Sequence, residues 1–399
     1  MKNKNLFLCL TLMTIAIVGC TDDDPTTPIT PPTTIQGNLY VMTNAENNEI
    51  ISFDRAGDGK LNKIPVKTPT QGAGNGKASE FEVPAGNIDP LASNYALRLS
   101  NDNKFLFAVN FKSNELSSFT TDVITGVEFV QKINSGGIDP KSLAVVGNTV
   151  FVAHRDKKIT AFTFDAEGRL TANGAGIEVA AQPLAIKATK DNEHLVVTMF
   201  SNKIATYSIT GAILDLNDSK DLPVQENGAA PAVPFGIETL ALNGDQYVYF
   251  AEARGGATES STVSCYKIGI TGELEFVNRV LLDDDADPTS GGQIAACWIG
   301  ANSEGSRIYT SNTGSSSIAC LSVDATNGKL TVENLTAFKE DASPTQSGLI
   351  DFVIVKDKIY QQYSITGVVK VLLPNGNNLV EIDSESFSPA GGNQGIAGY

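Results

Sequence analysis

Residues 307–332 read RIYTSNTGSSSIACLSVDATNGKLTV and contain the clearest structural pattern in the chain. Apolar residues predict short strands at 308–311 and 318–323, and a third strand begins at Lys329 after the turn residues Asn327 and Gly328. Three short strands cannot bury both faces of a sheet without neighbours. The stretch therefore predicts one unit of a repeating all-β fold.

The same pattern recurs about every 45–60 residues, a spacing typical of propeller blades. Further copies begin at residues 39, 105, 150, 194, 247 and 359, and an apolar strand precedes most of them. This arrangement predicts a seven-bladed β-propeller with four-stranded blades. The first copy lacks its leading strand, and residues 392–399 are left over at the end of the chain, so we expect them to complete the first blade and close the ring. Residues 66–86 are rich in Gly, Thr and Pro and are expected to form a loop.

The start of the chain has the layout of an export signal. Lys2 and Lys4 precede the apolar run 6–18, which is short for a membrane span. Residues 16–20, AIVGC, resemble a bacterial lipobox, which implies a signal peptide over 1–19 and a lipidated Cys20; an ordinary signal peptide with an incidental Cys is the alternative. Residues 20–36 predict a disordered acidic, Pro- and Thr-rich tether, and residues 37–399 a single propeller domain. We expect a lipid-anchored protein of the bacterial outer membrane, on its surface or its periplasmic face.

The composition limits the classes of partner. The chain has 45 Asp and Glu against 29 Lys and Arg, a formal net charge of −16. Nucleic acid would be repelled by this acidic balance, so it is not an expected partner. We expect a monomer without a cofactor that meets the membrane only through its lipid; no residue is predicted to bind a metal, and whether the protein depends on a metal stays open. Cys265, Cys297 and Cys320 have no CxxC spacing and are expected to be buried free thiols.

One position recurs at the end of the second strand of each unit. It holds Asn44, Asn110, His154, Met199, Glu252, Asn312 and Tyr363. Equivalent positions of a closed propeller lie on one ring, so we expect these residues to face a shared central depression that binds a ligand. Alternatively, the Asn residues bond local backbone at turns, and His154 is a partly exposed loop residue.

Several motifs resemble the lactonase family of seven-bladed propellers, which includes bacterial 6-phosphogluconolactonases and fungal carboxymuconate-cyclising enzymes. The motifs are residues 296–299 (ACWI), 309–315 (YTSNTGS), 234–236 (PFG) with 251–253 (AEA), and the closing 395–397 (GIA). The resemblance covers nearly all of residues 39–399 and implies lactone chemistry at an axial pocket. Glu252 matches the glutamate of that pocket. Its Arg and His after a proline correspond here to Phe235 and Gly236, and its Arg after Ser-Asn corresponds to Thr313.

Two hypotheses of function remain open. In the first, Glu252 and His154 act as an acid/base pair that hydrolyses a lactone or related cyclic ester, and Arg254 binds an anionic group together with Asn44, Asn110, Asn312 and Tyr363. In the second, the propeller is a non-catalytic envelope module that binds a glycan, a peptide or a protein.

Four other features are expected to be structural. Trp298 is expected to pack in the core, and His194 to lie on the surface beside a turn. The acidic run 283–287 lacks the alternating ligands of a calcium loop and predicts a solvated turn. The Gly-rich residues 72–77 lack the strand-to-helix context of a phosphate-binding loop.

Overall fold

A computed structural model of the protein describes residues 34–62, 65–76, 88–223, 232–254, 260–283, 292–387 and 391–399. These residues form seven β-sheets, a 3-10 turn at Thr313–Ser315 and a short helix α1 at Pro344–Ser347. No helix among them is long and apolar enough to cross a membrane. The predicted signal peptide and Cys20 lie outside the described residues, whereas Ile35 and Gln36, predicted as tether, begin the first strand.

The sheets are the seven blades, and their strands follow the chain in order. Blade 1 contains β1 (Ile35–Met42), β2 (Glu49–Ala56), β3 (Val66–Pro69) and, from the end of the chain, β29 (Ile396–Gly398). Blade 2 contains β4 (Leu97–Leu99), β5 (Phe105–Asn110), β6 (Glu115–Asp122) and β7 (Gly126–Asn134). Blade 3 contains β8 (Pro140–Val146), β9 (Thr149–His154), β10 (Lys158–Phe164), β11 (Leu170–Ala172) and β12 (Ile177–Glu178).

The remaining blades have four strands each. Blade 4 contains β13 (Pro183–Ala188), β14 (His194–Met199), β15 (Lys203–Thr210) and β16 (Ile213–Asp221). Blade 5 contains β17 (Val233–Leu242), β18 (Asp245–Ala253), β19 (Thr262–Ile268) and β20 (Leu274–Leu281). Blade 6 contains β21 (Ala296–Ala301), β22 (Arg307–Asn312), β23 (Ser317–Val323) and β24 (Leu330–Lys339). Blade 7 contains β25 (Leu349–Val355), β26 (Lys358–Tyr363), β27 (Val368–Asn375) and β28 (Asn378–Ser386).

The predicted seven-bladed propeller is confirmed. Residues 307–332 form β22, β23 and the start of β24 in blade 6. Two local predictions were wrong. Residues 66–69 form the outer strand β3 rather than a loop, because they pair antiparallel with residues 49–52 of β2. His194 is buried rather than exposed, because it begins β14 and its N–H donates to the Thr189 hydroxyl at 3.0 Å.

The end of the chain closes the ring, as predicted. Strand β29 pairs antiparallel with β1 in blade 1. Buried Arg55 fixes this junction, because its Nε donates to the backbone oxygen of Tyr399 at 3.0 Å and its Nη2 to that of Gln36 at 2.9 Å. Closure thus pairs the inner edge of blade 1 with the last strand of the chain.

Apolar side chains pack within and between the blades. The Phe105 ring of blade 2 meets the Phe164 ring of blade 3 at 5.4 Å between centroids. Trp298 is buried with its ring 5.6 Å from that of Phe235, so the expected core position is confirmed. Cys265, Cys297 and Cys320 are buried and free, also as predicted.

The strand order gives the propeller two distinct faces. In each blade the first strand lies nearest the axis. We call the face at which the second strands end the upper face, and the face with the turns from first to second strand the lower face.

The strand register defines two sets of seven equivalent positions. The first set, which we call the strand-end ring, contains the seven residues predicted from the sequence at the ends of the second strands. The second set, which we call the inner ring, lies on the first strands. Each inner-ring residue pairs with the second-strand residue that lies three positions before the strand-end residue of the same blade. The inner ring consists of Ile396, Arg98, Ala144, Lys187, Glu238, Gly300 and Val353.

Candidate functional site: the propeller axis

The strand-end ring is buried in the blade packing. None of its residues exposes more than 2% of its surface, and five of them are the last residues of their strands. The sequence predicted an open depression lined by these side chains. The structure instead buries their polar atoms in the blade packing, where most of them have hydrogen-bond partners, although Nε2 of His154 has none among the described residues.

Glu252 is held by donors of its own blade. Its carboxylate accepts hydrogen bonds from the Thr262 and Ser264 hydroxyls, and it forms an ion pair with Arg279, whose Nε lies 3.1 Å away. Each of these partners lies on β19 or β20. A buried carboxylate with this many donors is stabilised as part of the blade.

His154 occupies the equivalent place in blade 3. Its Nδ1 lies 3.4 Å from the backbone oxygen of Lys158, and Gly137 covers the ring so closely that a Cβ there would lie 2.5 Å from the His154 Cγ. Burial lowers the pKa of His154 to about 4, so the imidazole is neutral at neutral pH. Blade 4 separates His154 from Glu252, and no contact joins them. Their acid/base role stays a prediction.

The Asn residues of the ring use their amides to join structural elements. Asn110 donates to Ser117 at 2.7 Å within blade 2 and accepts from Thr70 of blade 1 at 2.6 Å. Asn44 donates to the backbone oxygen of Gly392 at 3.1 Å, close to the closing strand. These bonds keep the Asn side chains in the packing, but their partners are hydroxyl groups and sequence-distant backbone rather than the local turn backbone of the alternative.

The strand-end residues of blades 6 and 7 also form hydrogen bonds within the blade packing. Asn312 donates to the Ser317 hydroxyl at 3.2 Å within blade 6. The Tyr363 hydroxyl of blade 7 donates to Glu340, which follows the outer strand of blade 6, at 2.6 Å. Both side chains therefore stabilise blade packing.

The other two residues of interest are also buried. Met199 packs in the apolar cluster of blades 3 and 4. Arg254 follows β18, and its backbone oxygen accepts from the N–H of Ala295 at 2.8 Å. Ligand binding by Arg254 and by the ring residues stays a prediction.

A connector closes the upper end of the axis. Residues 88–95, which we call the plug, precede β4 and bond to the six blades other than blade 2. Their partners are Gln394 in blade 1, Lys141 in blade 3, Leu184 in blade 4, Ile237 in blade 5, Cys297 in blade 6 and Ser364 in blade 7. Only a segment on the axis can bond to six blades and continue directly into the seventh, so the plug fills the upper central channel.

Two residues of the plug have a strained backbone conformation. Ala92 and Tyr95 have φ of 46° and 66°, in the left-handed region that costs a residue with a side chain on the order of 1–3 kcal/mol. The conformation turns the Tyr95 ring down the axis, and its hydroxyl donates to the backbone oxygen of Ile237. Tyr95 is thus the lower end of the plug.

Below the plug lies the axial cavity, with a volume of about 570 Å³. Its wall includes every inner-ring residue except Ala144, together with Tyr95, Lys190 and Asp351. Lys190 leaves 49% of its side chain exposed and Lys187 only 13%, so the cavity opens at the lower face. This size is typical of small-molecule sites.

Charges of both signs meet in the axial cavity. The Lys187 ammonium lies 2.8 Å from Glu238 Oε1, and Lys190 lies 3.8 Å from the same oxygen. Arg98 and Lys187 lie 4.9 and 5.0 Å from the Tyr95 ring centroid, within cation–π range. Burial lowers the pKa of Lys187 to about 8. Burial alone would raise the pKa of Glu238, but the attraction of Lys187 and Lys190 outweighs it and lowers that pKa.

Asp351 adds a buried carboxyl group to the cavity wall. Burial raises its pKa well above the usual range, and Asp89 of the plug acts in the same direction, while Arg98 opposes it. The axial cavity therefore combines cations with several carboxyl groups: Glu238 and Asp351 on the first strands, and Glu304 and Asp357 in turns at the lower face.

The residues of this cavity were not predicted as a site, although the sequence contains a signal for them. Arg98, Lys187, Glu238 and Asp351 each interrupt an otherwise apolar first strand. A charge in a strand of this kind is costly unless it is paired or reaches solvent. Four such charges in equivalent strands indicate a polar axis. The described residues hold no group of three or more His, Cys, Asp or Glu arranged for a metal ion.

Comparison with known proteins agrees with the fold. Residues 34–187, which end in β13, match the family described as Lactonase, 7-bladed beta-propeller. No curated protein sequence matches the chain.

Among solved structures, a candidate 6-phosphogluconolactonase from Bacteroides uniformis has 18% identity and a TM-score of 0.67, covering 91% of this chain and 99% of its own. One from Bacteroides fragilis has 19% identity and a TM-score of 0.65, with coverages of 93% and 99%. The periplasmic gluconolactonase of Pseudomonas aeruginosa has 14% identity and a TM-score of 0.61, with coverages of 91% and 98%. At these identities the similarity shows the propeller fold alone.

Proposed function

We propose that this protein is a lactonase-like propeller that binds a small lactone, or the hydroxy acid formed when the ring opens, in the axial cavity. The observation that carries the proposal is the placement of Arg98 and Lys187 around Tyr95 in a cavity of about 570 Å³. Guanidinium and ammonium groups bind carboxylates and stabilise negative charge on a carbonyl oxygen. The plug closes the other end of the axis, so the ligand enters from the lower face.

Hydrolysis in this cavity is the second candidate function, and the match of residues 34–187 to the Lactonase family supports it. Glu238 would accept a proton from water while the water oxygen bonds to the lactone carbonyl carbon. The ring C–O bond then breaks, and Asp351, whose pKa burial raises, would protonate the leaving oxygen from its carboxylic acid form. Arg98 and Lys187 would stabilise the oxyanion. Glu252 and His154, the earlier acid/base candidates, would need access through the plug.

The test combines titration and turnover. Purified protein would be titrated with gluconate by calorimetry, and glucono-lactone hydrolysis would be followed at constant pH. We expect gluconate to bind, and Arg98→Met to weaken binding about tenfold or more, because a charge-assisted hydrogen bond is lost. Lys203→Met, at an exposed lysine outside the cavity, is the matched control. Absence of gluconate and lactone binding would overturn the proposal.

Turnover separates the two candidate functions. If Glu238 is the proton acceptor, Glu238→Gln would abolish hydrolysis and Glu252→Gln would not. If Glu252 and His154 are the acid/base pair instead, Glu252→Gln would abolish hydrolysis. Wild-type turnover no faster than the spontaneous reaction, with gluconate still bound, would leave a binding protein.

The same proposal includes the envelope location. A lipid on Cys20 and the tether over residues 20–36 would hold a monomeric propeller at the outer membrane. Labelling cells with an alkyne fatty acid would mark the wild-type protein and not a Cys20→Ser variant. Equal labelling of the two would contradict lipidation at Cys20.

A further inference from the structure

A second, smaller cavity adjoins the axial cavity at the lower face. This side cavity has a volume of about 230 Å³ and lies between blades 2, 3 and 4, with Thr239 of blade 5 completing its wall. The side cavity exists because one inner-ring position holds a small side chain. Blade 3 contributes Ala144 between Arg98 of blade 2 and Lys187 of blade 4, and the small methyl group leaves the space between the two long cations unfilled.

Three basic side chains form the boundary between the two cavities. Arg98, Lys187 and Lys190 line both of them. Among the described residues, no Asp or Glu lines the side cavity, and its other polar side chains are amides and hydroxyls such as Asn101, Asn192 and Thr239. This is unusual in a chain with 45 acidic against 29 basic residues.

The nearby carboxylate does not neutralise this cluster. Glu238 contacts Lys187 and Lys190 from the axial side, while no carboxylate among the described residues forms an ion pair with Arg98. Even if Asp351, which interacts with Arg98 from the axial cavity, is counted as ionised, two carboxylates face three cations, and the cluster keeps a net positive charge. Partial burial strengthens its attraction for an anion, since the local dielectric is lower than that of water.

We infer that the side cavity is an anion subsite, which binds a second carboxylate of the ligand held in the axial cavity. The inference rests on the proposed function and deepens it by naming the substrate class. The preferred ligand is a sugar diacid or its monolactone, rather than the lactone of a neutral sugar. Its lactone or hydroxy-acid end occupies the axial cavity, and its distal carboxylate accepts hydrogen bonds from Arg98 and Lys190.

The experiment compares ligands that differ in one carboxylate. Glucarate, gluconate and 6-phosphogluconate would be titrated into the wild-type protein by calorimetry at fixed pH and ionic strength. We expect glucarate to bind about tenfold more tightly than gluconate, because it adds charge-assisted hydrogen bonds. Tighter binding of 6-phosphogluconate than of glucarate would overturn the assignment of a carboxylate.

Two variants test the location of the subsite. Ala144→Leu fills the side cavity, and Lys190→Met removes a half-exposed cation with little risk to the fold. In both, we expect the glucarate-to-gluconate affinity ratio to fall toward one, while Lys203→Met retains the wild-type ratio. Thermal melts would verify that each variant is folded.

The outcomes separate this inference from the proposed function. A ratio near one in the wild type, or an unchanged ratio in both variants, overturns the subsite while gluconate binding still supports the axial site. Failure of both gluconate and glucarate to bind overturns the two together.

Discussion

The two ends of the propeller axis are built from the same first and second strands but have opposite properties. At the upper end, the plug fills the channel and the strand-end ring is buried in blade packing. At the lower end, a cavity of about 570 Å³ remains and charged inner-ring residues line it. The difference comes from one connector, since the blades themselves repeat. Equivalent positions in a propeller thus share a location without sharing a role.

Two glutamates of blade 5 show the same contrast within one sheet. Glu252 on β18 is surrounded by donors from β19 and β20. Glu238 on β17 faces lysines of blade 4 across the cavity wall. The first arrangement stabilises a blade, and the second leaves a charge cluster that a ligand can reach.

Deleting residues 392–399 should have the largest effect, because both ends of the axis depend on ring closure. The truncation removes β29, the partner of β1, together with Asn393 and Gln394, which bond to blade 7 and the plug. We expect loss of the cooperative thermal transition measured by circular dichroism. A melting temperature equal to that of the full chain would refute the closing role of this strand.

Replacing Glu252 with Ala should destabilise the protein by about 3 kcal/mol, because Arg279 would lose its buried partner. Denaturant unfolding measures this change. The matched variant is Glu238→Ala, for which we expect a smaller loss of stability and a larger change in gluconate affinity. If Glu252→Ala weakened gluconate binding more than Glu238→Ala did, the assignment of roles to the two glutamates would be reversed.

Gluconate binding should weaken as the pH rises through about 8, where Lys187 loses its proton. Arg98, Tyr95, Lys190 and Glu238 face this ammonium. The pKa of Lys187 in the folded protein lies below the ordinary lysine value of 10.5. Between pH 8 and 10.5 the unfolded chain therefore binds more protons than the folded protein does, and the free energy of unfolding should rise with pH in that window. Calorimetry from pH 7 to 9 checks the affinity. A Lys187→Met variant with the same pH profile would show that another group titrates.

Removing one anchor of the plug should have the smallest effect. Asn94→Ala deletes the side-chain hydrogen bond to the backbone oxygen of Cys297, at a cost of about 1 kcal/mol. The local opening should raise amide hydrogen exchange in the plug and leave the lower cavity unchanged. Hydrogen-exchange mass spectrometry measures both regions. Equal acceleration at the inner-ring strands would show that the two ends of the axis are not independent.

The sequence alone determined the blade pattern. Alternating apolar residues and Asn-Gly turns predicted β22, β23 and β24, and the unmatched residues 392–399 predicted ring closure. These features were readable because strand period and turn chemistry are local properties.

Only the tertiary structure decided which end of the axis is open. The path of residues 88–95 depends on bonds to six blades that are distant in the sequence, and no local pattern encodes such a path. The same is true of the inner ring, since Arg98, Lys187 and Glu238 become neighbours only when seven separate sheets close around one axis. Strand periodicity identifies residues that share a sheet face, whereas ring closure determines which of them meet a ligand.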